Sequence, residues 1–201
     1  KTASKIKVDA TAITGNFADL EVLYVNNTKE QFVGLGNKAV TINAGASETE
    51  VNSILAATSG VVTATLSASA EDLKLALTAA KSNDELILNV TGDALASDLK
   101  ALDAKTSSLV STATGAKITG SGADLKTVIK SSGIELFGDE NIKVTNKVSA
   151  SDANIFTSKT TGVVTAEVNA GSAAALNKAL SQDKNGLGAD VENALTLTVT
   201  G

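Results

Sequence analysis

Apolar positions along the chain follow two different spacings, and the spacing changes every ten residues or so. Runs such as Glu85-Leu86-Ile87-Leu88-Asn89-Val90 and Ala194-Leu195-Thr196-Leu197-Thr198-Val199 carry aliphatic and β-branched residues suited to a pleated, partly buried surface. Between them the apolar residues recur near every 3.6 positions, as in Leu73, Leu77 and Ala80, or Leu125, Val128 and Ile129. This spacing predicts short helices over 48–57, 70–81, 96–105, 123–131, 151–159 and 173–181. Small polar residues mark their starts: Ser69 with Asp72, Ser97 with Asp98, Ser121 with Asp124, and Ser149 with Asp152.

The pattern repeats. Ser59-Gly60-Val61-Val62-Thr63-Ala64-Thr65-Leu66 returns as Thr161-Gly162-Val163-Val164-Thr165-Ala166-Glu167-Val168, and Ile13-Thr14-Gly15-Asn16-Phe17-Ala18-Asp19-Leu20 as Ile118-Thr119-Gly120-Ser121-Gly122-Ala123-Asp124-Leu125. The two pairs are each roughly a hundred residues apart, which marks a repeat architecture. A finer punctuation of Val40-Thr41, Val90-Thr91, Val144-Thr145 and Val199-Thr200, with Gly-led segments at Gly60, Gly115 and Gly162, suggests a period of about fifty. The expected division is a partial repeat over 1–39, then repeats over 40–89, 90–143 and 144–201.

Alternating strands and helices imply parallel strands, each helix being the crossover between neighbours. A strand and one short helix cannot bury their own apolar faces, so neighbouring units must stack. The expected fold is an α/β repeat, an elongated solenoid-like stack of parallel strands alternating with short helices. A doubly wound domain is the alternative, and two lobes joined near residue 92 or 146 would fit the same pattern.

Composition narrows the function more than the fold. The chain has 201 residues, 43% apolar and 19% charged, with neither His nor Cys. A thiolate nucleophile, a disulfide framework and the commonest general base are therefore excluded. Every basic residue is Lys, and the net charge of −5 opposes nucleic-acid binding. No run of about 18 apolar residues suits a membrane span. Aromatic residues are 2% of the chain, so its apolar surface comes from Ala, Val and Leu, which suit thin stacked layers. Phe17, Phe32, Phe137 and Phe156 are expected at turns or edges. The chain opens at Lys1 without a signal peptide and stops at a Val-Thr-Gly boundary, and so reads as a piece of something longer.

Gly60 to Leu73, Ser149 to Asn154 and Thr160 to Val168 carry a resemblance to a family. These segments resemble repeats of the surface-layer (S-layer) proteins of Gram-negative bacteria, of the Campylobacter kind, and of related cyanobacterial and adhesin arrays. The resemblance extends over most of the chain from about residue 40. It implies a secreted, extracellular structural protein, exported by a type I route, that self-assembles into a lattice on the cell surface. It also implies anchoring to surface polysaccharide through other parts of the parent. The alternative is a stalk or binding module of a secreted adhesin that contacts glycan or host protein. Binding surfaces enrich Tyr, Trp and Arg, and this chain has one Tyr and no Trp.

Calcium is the one candidate ligand. Acidic turns precede the closing strands at Asn83-Asp84-Glu85, at Asp139-Glu140-Asn141, and at Asp190 with Glu192 and Asn193. Calcium takes six to eight oxygen ligands, which such loops supply, although Asp and Asn are also good turn formers. No catalytic residue is expected. Glu71 with Asp72 and Asp98 with Asp103 are carboxylate pairs, but first-turn carboxylates serve helix caps and the macrodipole. Lys74 with Lys81, and Lys126 with Lys130, read as solvated helix faces. The sequons at Asn26 and Asn89 read as coincidental.

Overall fold

The computed structural model describes residues 4–27, 31–180 and 193–200. In chain order the elements are β1 (Ile6–Lys7), β2 (Ala12–Gly15), α1 (Phe17–Tyr24), β3 (Phe32–Val33), β4 (Ala39–Ile42), α2 (Glu48–Ala57), β5 (Val62–Ala68) and α3 (Ala70–Ala76). Next come β6 (Glu85–Val90), β7 (Ala94–Leu95), α4 (Ala96–Asp103), β8 (Val110–Ser111), β9 (Lys117–Gly120), α5 (Gly122–Lys130), β10 (Ile134–Glu135) and β11 (Asn141–Val144). The chain closes with α6 (Ala150–Thr157), β12 (Val164–Glu167), β13 (Gly171–Ser172), α7 (Ala173–Leu180), β14 (Ala194–Thr196) and β15 (Val199–Thr200). The protein is α/β. It falls into two compact units, Lys1–Asn89 with Ala101–Val110, and Val90–Lys100 with Ser111–Gly201.

In the first unit β2, β4, β5 and β6 lie side by side in chain order. Strand β2 pairs with β4 in parallel from Ala12↔Ala39 to Gly15↔Ile42, and β4 with β5 at Val40↔Val62 and Thr41↔Thr63. Between β5 and β6 the side-chain bonds Thr63–Glu85 and Ser67–Asn89 share one sequence offset, as a parallel register requires. A separate parallel pair joins β1 to β3. Helix α1 packs on α2, and α2 on α3.

The second unit has the same plan. Its sheet runs β7-β9-β11-β12-β14, parallel at every step, and β13 pairs with β15. Strands β9, β11 and β12 with helices α5, α6 and α7 follow the order of β2, β4 and β5 with α1, α2 and α3. The sequence pairs about a hundred residues apart occupy equivalent places in it.

Strands β4, β5, β6, β11 and β12 bury alternate residues. In β6 Leu86, Leu88 and Val90 are buried while Glu85 and Ile87 are exposed, and in β12 Val164 and Ala166 are buried while Thr165 and Glu167 are exposed. Helices pack against the strands, α1 on β2, α2 on β5, α5 on β9 and α6 on β12. Across the first unit Thr14, Thr41 and Thr63 form a row in register, Thr14 exposed and the other two half-buried. Leu20, Ile54, Leu55 and Leu73 fill the first core from the helices, and Leu125, Val128 and Phe156 the second.

Several local expectations change. Serines 69, 121 and 149 are N-caps whose side chains accept from the backbone of Asp72, Asp124 and Asp152. Ser97 is not, because α4 begins at Ala96 and places it inside the helix. Helix α3 ends at Ala76, since the amides beyond it are taken by side chains from outside the helix: Ala79 N donates to Asn52 Oδ1 and Lys81 N to Asp84 Oδ2, both at 2.8 Å. Phe156 is no edge plug; it is fully buried.

Candidate functional site

The segments that recur most faithfully form a staple between adjacent strands. Thr58 Oγ1 donates to Lys38 O at 2.8 Å and accepts from Gly60 N at 3.0 Å. Ser59 N donates to Gly36 O at 2.7 Å, and Val40 N to Val61 O at 2.8 Å. In the second unit Thr160 Oγ1 donates to Glu140 O at 2.6 Å and accepts from Gly162 N at 2.8 Å. Thr161 N donates to Gly138 O at 2.7 Å, and Ile142 N to Val163 O at 2.9 Å. Both threonines are buried, so a lost bond there leaves a carbonyl and an amide without water.

Close approach dictates glycine at positions 60 and 162. A Cβ at Gly60 would lie 2.1 Å from Lys38 O, and one at Gly162 would lie 2.3 Å from Glu140 O. Neither clash can be relieved by a rotamer change, because the obstructing atom is backbone. Gly115 is different: it sits in a turn at φ +66° with open space around its Cβ direction. Its place in a fifty-residue series is therefore not structural equivalence.

The acidic turns lie beside these staples. Asp84 is 0% exposed; its Oδ1 accepts from Val62 N at 2.9 Å and its Oδ2 from Lys81 N at 2.8 Å. Glu140 is 1% exposed; its Oε1 accepts from Thr112 Oγ1 and Phe137 N, and its Oε2 from Gly138 N. Asp139 Oδ1 accepts from Gly115 N, and Glu85 Oε2 from Thr63 Oγ1. Asn141 Oδ1 accepts from Val163 N, and Asn193 Oδ1 from Val164 N, the counterpart of the Asp84–Val62 bond. Asp190 and Glu192 lie outside the described residues. Each oxygen bonded in these turns faces an N–H or O–H donor. Among the described residues no group of three or more acidic side chains is placed to hold a metal ion.

The carboxylates of both pairs sit at helix ends. Asp72 is bound to the Ser69 cap at 2.6 Å, and Glu71 lies beside it in the first turn of α3. Asp98 is buried in the first turn of α4, near the start of the helix that Asp103 ends. Asn89 lies within β6, its side chain on Ser67.

A charge ladder joins successive helices of the second unit. Lys100 pairs with Asp124, and Lys126 with Asp152 at 3.0 Å. The Lys100 ammonium and then the Ser121 hydroxyl hold the Asp124 carboxyl below its ordinary range. Lys117 does the same for Asp93 through its side chain and its backbone N–H. The sequence signal is a recurring Asp-Leu-Lys at Asp72, Asp98 and Asp124, with the middle leucine buried each time. Its spacing is near that of one strand–helix step, about half the fifty-residue period.

Set beside known proteins, the chain matches no protein-family model, no curated protein and no solved structure. Among the described residues no helix is long and apolar enough to cross a membrane.

Proposed function

We propose that this chain is a rigid repeat segment of a self-assembling bacterial surface layer, extracellular and without catalytic activity. On this reading the lattice forms through contacts between copies. The observation that carries it is the duplicated staple. The buried hydroxyls of Thr58 and Thr160, and the buried carboxyls of Asp84 and Glu140, bond to backbone and hydroxyl groups that tie neighbouring strands together. Polar chemistry that an enzyme would direct into a cleft is used here to fix spacing, which is what a coat requires.

Light scattering of the protein, first with chelator and then in millimolar calcium, tests the reading. Growth into ordered sheets supports it, and a monomer under both conditions counts against it. The second reading, an adhesin module, is favoured by the threonine row of the first unit, which with Ser67 and Asn89 nearby offers hydroxyl and amide groups of the kind that meet a glycan. Binding of soluble surface polysaccharide to a monomer would favour it.

A further inference from the structure

The two units differ at one internal loop. Residues 40–67 align with 142–169 without a gap, β4, α2 and β5 matching β11, α6 and β12, so each position has a counterpart. Both loops between strand and helix are anchored alike. Asn43 N donates to Gly15 O, and Thr145 N to Gly120 O, each at 2.9 Å. Ser47 caps α2 as Ser149 caps α6. Between those anchors lie residues 44–46 in the first unit and 146–148 in the second.

In the second unit the loop lies on the next strand. Val148 bridges Val168 in parallel, its N donating to Glu167 O at 3.0 Å while Asn169 N donates to its O at 2.8 Å. Val148 is buried, and Lys147 pairs with Glu167 at 2.7 Å. In the first unit neither main-chain bond has its counterpart among the described residues. A cleft of about 500 Å³ opens there, lined by residues 44–46 and by Thr65, Leu66 and Ser67. Three side chains account for the difference. Lys147, Val148 and Glu167 have Gly45, Ala46 and Thr65 as counterparts, so the burial of a valine and a surface ion pair are lost. The main-chain groups that close the second loop are all retained.

We propose that residues 44–46 form a strap with two positions. One is the open position, with the cleft; in the other, Ala46 bridges Leu66 and the cleft is closed. Closure adds two main-chain bonds, Ala46 N to Thr65 O and Ser67 N to Ala46 O, in the pattern of a parallel ladder. It needs no change of length, because the second unit closes with the same number of residues between the same anchors. Small side chains on the strap keep the closed position a minor one. The strap thus controls access to a cleft on the first unit, and it does so independently of the coat reading.

The test is relaxation-dispersion NMR of the intact protein. The expected result is microsecond-to-millisecond exchange at residues 44–46 and 65–67 with one shared rate, and flat profiles at 146–148. A second measurement traps the closed strap. Neighbouring strands run about 4.8 Å apart, within disulfide reach. The reference pair Lys147→Cys with Glu167→Cys is expected to lose both free thiols under oxidised glutathione. Gly45→Cys with Thr65→Cys is expected to lose both as well, which the closed position alone permits. Gly45 holds φ +103°, so a side chain there strains the open position and favours closure. A Gly45/Thr65 pair that stays reduced while the reference pair oxidises therefore overturns the proposal. Flat dispersion at residues 44–46 of the parent protein overturns it too, whatever the variants do.

Discussion

Replacing Gly60 by Ala tests the staple. The added Cβ would stand 2.1 Å from Lys38 O and 2.7 Å from Ala39 N, whereas ordinary contact begins near 3.4 Å. Relief requires the two backbone segments to part by more than about 1 Å, which no side-chain rotation can supply. That separation would stretch Thr58 Oγ1–Lys38 O, Ser59 N–Gly36 O and Val40 N–Val61 O, now at 2.8, 2.7 and 2.8 Å, past bonding distance. Each buried group left unpaired costs about 1–3 kcal/mol, so with partial relaxation the loss is about 3–5 kcal/mol. A loss of that size is a large part of the stability of a domain and lowers its melting temperature by more than about 10 °C. The control is Gly36→Ala, an exposed position with nothing within 4 Å of the new Cβ, expected within about 0.5 kcal/mol of the parent. Urea and thermal unfolding followed by circular dichroism provide the readout. Equal stability of the two variants would refute the argument that close approach dictates the glycine.

Other outcomes follow from the same geometry. Asp84→Ala is expected to cost about 2–4 kcal/mol in urea unfolding, since the amides of Val62 and Lys81 lose their acceptor. The cost is expected to be the same in chelator and in calcium; a gap that opens only with calcium would make Asp84 a metal ligand. The carboxyls of Asp93 and Asp124 are expected to titrate below the ordinary 3.8 in carbon-detected NMR. A depressed carboxyl contributes stability that is complete above its unfolded pKa and is lost as pH falls through the folded one, so these two pairs weaken only under pH 3.8. Lys117→Ala should raise the Asp93 pKa toward the ordinary range without restoring it fully, because the backbone N–H of residue 117 still donates, and leave Asp124 where it is. Tyr24→Phe is expected to be neutral or to stabilise by up to about 1 kcal/mol, because the buried Tyr24 hydroxyl has no hydrogen-bond partner among the described residues. Burial also raises the pKa of that phenol, so spectrophotometric titration should place it above 10.0.

Local chemistry was legible in the sequence, and distant chemistry was not. Helix α2 and strand β6 begin and end where periodicity places them, because both ends are set by neighbouring residues: the Ser47 and Glu50 capping box opens α2. Alternating strands and helices led correctly to parallel pairing. Helix α3 was overextended because Asn52 and Asp84, far along the chain in opposite directions, take the amides that would have continued it. The repeated glycines were visible as a motif. Their cause was not, since the carbonyls of Lys38 and Glu140 that crowd them come from the preceding strand segment. The acidic turns show the same limit: turn propensity and a calcium site ask for the same residues.

The most direct test of the account is electron microscopy of the purified protein, concentrated with and without millimolar calcium, with Gly60→Ala alongside. The account expects ordered two-dimensional sheets from the parent chain and none from the variant whose strand spacing is disturbed. Dispersed particles from the parent under every condition, or sheets unaffected by Gly60→Ala, would contradict it.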